Sequence, residues 1–212
     1  MSFTSPEPPD EPATPKLGRP DNPLPLTDAD AMRALAHPAR IALLQHLALE
    51  GARTATECAP VVGLSPSACS YHLRQLARYG FVAQDRGAAA NGRERPWRAE
   101  VISTRFEHSE DPVVSMAGEL LRRTMEDYGQ DVRRRYHARE ADYPPEWRAA
   151  AGATNSVVYV TADELASLQD RVRAVCREFV RLSGDDRPGG SQPVQVVLDF
   201  TPMFPPPGSA GS

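Results

Sequence analysis

The feature that most constrains this chain is its helix punctuation. Capping and breaking residues recur between Thr27 and Gly80 at intervals too short for any long helix. Thr27 or Asp28 can cap a first helix with an apolar face of Ala31, Ala34 and Leu35. His37-Pro38 breaks that helix, and Pro38 suits the first turn of a second. The second carries Ile41, Leu43, Leu44, Leu47 and Leu49 and stops at Gly51. Thr54 caps a third, with Glu57 as its capping-box partner, and Gly63 ends it. Ser65 caps a fourth, with Pro66 at its first position, and Gly80 closes it. Next come Phe81–Arg86 and Arg95–Val101, two short extended runs around a glycine-rich loop at 87–94, which predict a β-hairpin. Helices this short are stable only if their apolar faces cover one another.

On either side of this block the character of the chain changes. Residues 1–26 are dominated by Pro with acidic and hydroxyl residues and have no apolar periodicity, so a disordered tail is expected. Residues 205–212 read as a second tail. A second folded part is expected over 111–204, after a first over 27–104. Within it, residues 113–140 carry a helical stripe of Met116, Leu120, Thr124, Tyr128, Val132 and Tyr136, flanked by Leu121 and Met125, which Pro144-Pro145 ends. Ser156–Val160 reads as a strand. An amphipathic helix opening at Thr161 or Asp163 follows, with Leu165, Leu168, Val172, Val175, Phe179 and Leu182. A loop over 183–193 leads to an apolar strand at Val194–Phe200. The expected fold is mostly α with small β elements: an N-terminal winged helix-turn-helix, then a C-terminal α+β dimerisation and effector region.

The fourth helix has two chemistries. Leu64, Ala68, Leu73, Leu76 and Ala77 suit a core, whereas Ser65, Ser67, Ser70, Tyr71, Arg74 and Gln75 fall on its other faces. Small and hydrogen-bonding side chains near a helix N-terminus suit entry into a major groove. His72 reads equally as a groove contact or as a wedge against the hairpin. Arg86, Asn91, Arg93 and Arg95 on the hairpin loop suit a wing that reaches phosphates or the adjacent minor groove. The net charge of −4 does not exclude double-stranded DNA as partner, because charge is unevenly spread. From Ser65 to Arg98 there are six arginines against two acids; the rest of the chain holds eighteen bases against twenty-six acids. Lys16 is the only lysine, a bias that reads mostly as compositional.

Residues 31–98 resemble the ArsR-type winged helix-turn-helix family of bacterial regulators. The resemblance rests on Ala34-Leu35-Ala36-His37-Pro38-Ala39-Arg40-Ile41-Ala42-Leu43-Leu44, Leu64-Ser65-Pro66-Ser67, Ser70-Tyr71-His72-Leu73-Arg74-Gln75-Leu76, Gly80-Phe81-Val82 and Gly92-Arg93-Glu94. It implies a DNA-binding homodimer, usually a repressor on an inverted repeat, and does not extend over 111–204. The 113–140 helix is the expected dimer element, since two recognition helices must reach half-sites about one turn apart. The region after it leaves room for a small-molecule effector.

Other chemistries find little support. Cys58, Cys69 and Cys176 are an odd number, far apart, without the C-x-C or C-x-x-C spacing of a soft-metal site. They fit buried thiols in a reducing cytoplasm, and His108 and His137 lack a paired ligand. No metal or cofactor is expected. There is no nucleophile elbow, phosphate-binding glycine loop or HExxH, so an enzyme is not expected. No apolar run is long enough for a membrane span and no signal pattern opens the chain. The competing expectation is a protein-interaction module, an antitoxin or adaptor, built on the same winged scaffold.

Overall fold

The computed structural model describes Gly18 and residues 23–85, 94–106, 109–179 and 187–204. The chain is mostly helical with small strands, and it forms two compact units, Met1–Leu121 and Arg122–Ser212.

In the first unit the punctuation acts as the residue types require. Helix α1 (Ala29–Leu35) is capped by Asp28, whose carboxylate accepts from the Asp30 N–H at 2.8 Å. Helix α2 (Pro38–Glu50) begins at Pro38, and the Nδ1 of His37 accepts from the Ala39 N–H at 3.1 Å. Helix α3 (Ala55–Val62) opens on a complete Thr54–Glu57 capping box and closes on Gly63 in the left-handed region at φ 67°. Helix α4 (Pro66–Arg78) is capped by Ser65, and Gly80 takes φ 74° just beyond it.

Strand β2 (Val82–Gln84) pairs antiparallel with β3 (Trp97–Ala99), Val82 opposite Ala99 and Gln84 opposite Trp97. This is the hairpin predicted from 81–101. Its base is anchored by Phe81, fully buried, and by an extra bridge in which Arg53 and Trp97 exchange backbone hydrogen bonds of 2.9 and 2.7 Å. The core is Met32, Leu35, Leu43, Leu47, Leu73 and Leu76, all almost fully buried, with Cys58 and Cys69 between them. Met32 lies outside the apolar face expected of α1, and Leu49, among the apolar residues read for α2, is exposed.

Two expectations about the ends of this unit need correction. The tail predicted over 1–26 gives way at Leu24–Leu26 to a strand, β1, which pairs parallel with β4 (Thr104–Phe106). Leu26 is buried, so the pairing covers apolar surface that the local sequence did not reveal. Gly18 belongs with it: its carbonyl accepts from the Ile102 and Ser103 N–H groups at 2.8 Å each. The boundary between units also falls later than the sequence suggests, inside helix α5 (Pro112–Ala138). Ala117 and Leu121 on its first turns are buried, and Gly118 lies against the Met32 sulfur, so this end of α5 belongs to the first core.

In the second unit α5 runs on to Ala138, ahead of Pro144-Pro145. A 3₁₀ turn (Glu140–Asp142) and a short α6 (Pro145–Ala150) follow, then α7 (Ala162–Glu178), which opens on a Thr161–Glu164 capping box. The strands predicted at Ser156–Val160 and Val194–Phe200 are not formed: neither segment enters a sheet. A strand needs a hydrogen-bonded neighbour as well as β-branched residues, and among the described residues these runs have no such neighbour.

Two helix-ending glycines should respond differently to substitution. A side chain at either would meet nothing within 4 Å, so only backbone strain is at stake. Gly51 sits at φ 78°, ψ −159°, which is accessible essentially to glycine alone, whereas Gly63 is left-handed helical. In thermal unfolding, Gly51→Asn should cost about 1–3 kcal/mol, and Gly63→Asn should cost less than about 1 kcal/mol.

Candidate nucleic-acid interface

The candidate site is built on α4. Cys69, Leu73 and Leu76 are fully buried against α2 and α3. Ser67, Tyr71, Arg74 and Arg78 are exposed and follow one another at spacings of four, three and four residues, which places them in one row along the opposite side. Ser70 and Gln75 are half-buried at its margins. Tyr71 is 53% exposed. Arg74 has no ion-pair partner among the described residues, so its guanidinium is available to a ligand. Arg78 lies 5.8 Å from the centroid of the Tyr79 ring. Sequence reasoning left Arg78 out of the site, although its place one turn after Arg74 was a usable signal.

Ser65 has a structural duty. Its hydroxyl accepts from the Ala68 N–H at 3.2 Å and lies 3.0 Å from that of Ser67. His72 stands apart from the exposed row. Its ring packs 4.6 Å from that of His37, tilted by 41°, and meets the Tyr71 ring edge-on at 5.3 Å. Its Nδ1 is buried without a hydrogen-bond partner. Of the two roles left open for His72, a groove contact or a wedge against the hairpin, its ring takes neither directly and packs at the α1–α2 junction.

Of the predicted wing residues, Arg86, Asn91 and Arg93 lie outside the described residues. Arg95 is exposed. Arg98 on β3 is held by Glu100 at 2.7 Å, which lowers its value for an external phosphate. Glu94 was not predicted to act. One of its carboxylate oxygens accepts from the Ala55 N–H at 3.0 Å, the other from the Thr56 hydroxyl at 2.7 Å. The hairpin arm is therefore fastened to the first turn of α3, where a carboxylate satisfies orphan N–H groups and the helix dipole.

Residues 35–85 match the family model of a helix-turn-helix domain. The matched stretch holds α2, α3, the Gly63 turn and α4. No curated protein matches the chain. A helix-turn-helix domain places this unit among DNA-binding domains of transcription regulation. Among the described residues, no helix is long and apolar enough to cross a membrane, and no group of three or more His, Cys, Asp or Glu side chains could hold a metal ion.

The titratable groups behind α4 are built to stay neutral. Burial is the largest effect on His37, His46 and His72 and lowers all three pKa values from their ordinary 6.5; Arg40 adds to it for His37 and His72. Burial, reinforced by Cys69, pushes the Cys58 thiol up to about 11, and burial raises that of Cys69 as well. Both should resist maleimide in the native protein and react on unfolding, as protonated and covered thiols do.

A pH response follows from the histidines. The folded state holds these protons less tightly than the unfolded chain, so the stabilisation is complete above pH 6.5 and is lost as pH falls below it. Melting temperature should decline between pH 7.5 and 5.5. The carboxylates of Glu57 and Glu164, lowered by their capping hydrogen bonds, do not titrate in that window. His72→Gln should make the decline shallower.

Proposed function

We propose that this protein is a cytoplasmic ArsR-type transcription regulator, a homodimeric repressor that reads an inverted repeat in double-stranded DNA. Helix α4 enters the major groove with its N-terminus toward a phosphate. Ser67, Tyr71 and Arg74 meet base edges, Ser70 and Gln75 contribute at the margins, and Arg78 meets the backbone. Arg95, with Arg86, Asn91 and Arg93 on the loop before it, grips the sugar–phosphate rail of the adjacent groove. His72 supports Tyr71 from behind.

The observation that carries this reading is the exposed row on α4. A helix whose inner side is fully packed presents serine, tyrosine and two arginines outward, where a solvated helix more often alternates acids and bases. The dimer is supported by a second apolar face on α5. Val113, Met116 and Leu120 are exposed on the same helix whose Ala117 and Leu121 are buried, and Met116 is 73% exposed.

The test is fluorescence anisotropy on DNA from the chain's own promoter at several salt concentrations. Arg74→Ala should weaken specific binding by roughly 10- to 100-fold, as for loss of a base contact worth about 1–3 kcal/mol. Arg95→Ala should weaken all sequences alike and reduce the salt slope by about one. No salt-sensitive binding to any promoter fragment, with a co-purifying protein partner instead, would favour the interaction-module reading.

A further inference from the structure

The described residues of the second unit form no core of their own. Among its described residues only Thr124 and Gly129 are buried, and α7 buries none. Its most apolar segments are exposed: Tyr159 by 99%, Val157 by 66%, Val194 by 68% and Val196 by 62%. Continuous runs such as Val157-Val158-Tyr159-Val160 and Val196-Val197-Leu198 are the pattern of strands covered on both faces, not of solvent-facing loops. The segment at 194–200 already has one backing. A side chain built at Gly129 of α5 would meet Gln195 at 3.6 Å and Val197 at 3.8 Å, so this run lies along α5 where glycine lets it approach. Its backbone edges remain without a ladder, and so do those of 156–160.

We infer that a second copy of this chain completes the unit, the 156–160 and 194–200 segments of two copies joining in one sheet between the chains. Three observations favour a second copy over another partner. Each chain brings both an apolar run seated on a helix and another with free edges, so two identical chains satisfy each other without a third component. The eight exposed apolar side chains of the two segments offer on the order of 800 Å² per chain, the area that one side of a stable protein interface buries. Neither segment carries a basic residue, so an acidic or nucleic-acid partner has nothing to pair with. Within one chain the two segments stay unpaired although α7, 17 residues long, is an ample crossover between them. The inference rests on the dimer of the proposed function and extends it beyond α5.

The test is hydrogen–deuterium exchange on the full chain over a dilution series, with mass measured by light scattering. The amides of 157–160 and 194–199 should slow by roughly a hundredfold as the mass rises from one chain to two. The double variant Val158→Asp/Val196→Asp places charges at positions open to solvent in a single chain. It should exchange fast in both segments at every concentration and dimerise more weakly, through the α5 face alone, while the melting of the helix-turn-helix unit is unchanged. Fast exchange at every concentration, or protection independent of concentration as in a sheet within one chain, would overturn the inference. A DNA-binding dimer that is as tight and as protected in both segments after the double substitution as before it would overturn the sheet and leave the function standing. A weaker dimer and lost protection in the variant, with no DNA binding by the wild type, would do the reverse.

Discussion

Burial of Cys69, Leu73 and Leu76 fixes how far α4 is turned about its own axis. Each leucine is worth roughly 1.5–3 kcal/mol when fully covered. Turning the helix by one residue, about 100°, would expose both and drive Tyr71 or Arg74 toward the core. No polar contact on the outer side is strong enough to oppose that. The outward direction of Ser67, Tyr71, Arg74 and Arg78 is therefore a consequence of packing, and the row stands ready before any ligand arrives.

The other components hold that helix at a set place relative to the hairpin. Phe81 and the Arg53–Trp97 bridge join the strands to the helices, and Glu94 ties the hairpin arm to α3. A wing attached at three points needs less ordering when it meets DNA, and that preorganisation favours affinity. Behind the helix, the rings of His37 and His72 pack together at a tilt, and burial favours their neutral forms. That arrangement is compatible with neutral pH and places a strain on acidification.

Much of the first unit was legible in the sequence because its signals are local. Asp28, Pro38, Thr54 with Glu57, Gly63, Ser65 with Pro66, and Gly80 each act on backbone groups within a turn, and the structure uses every one. The inner side of α4 was legible: Leu73 and Leu76 are fully buried, Cys69 is the covered thiol its residue type suggested, and Ala68 and Ala77 are half-buried. The pairing of β1 with β4 was not legible, because it joins residues some eighty positions apart and neither run is long enough to announce a strand. Of the site, the exposed row was recovered apart from Arg78, while the roles of His72 and Glu94 depended on partners distant in sequence. The runs at 156–160 and 194–200 have the composition of strands and, among the described residues, no neighbour to pair with. Composition tells what a segment needs to bury, and topology decides where.

The central claim is that the outer row of α4 is the surface that meets DNA. It is tested most directly by backbone amide chemical shifts of the labelled protein, titrated with a duplex bound in a promoter selection. The account predicts the largest changes at Ser67, Tyr71, Arg74 and Arg78, with a second group around Arg95 and little change at the buried Leu73 and Leu76. Shifts concentrated elsewhere, with the α4 amides unmoved at saturation, would contradict it.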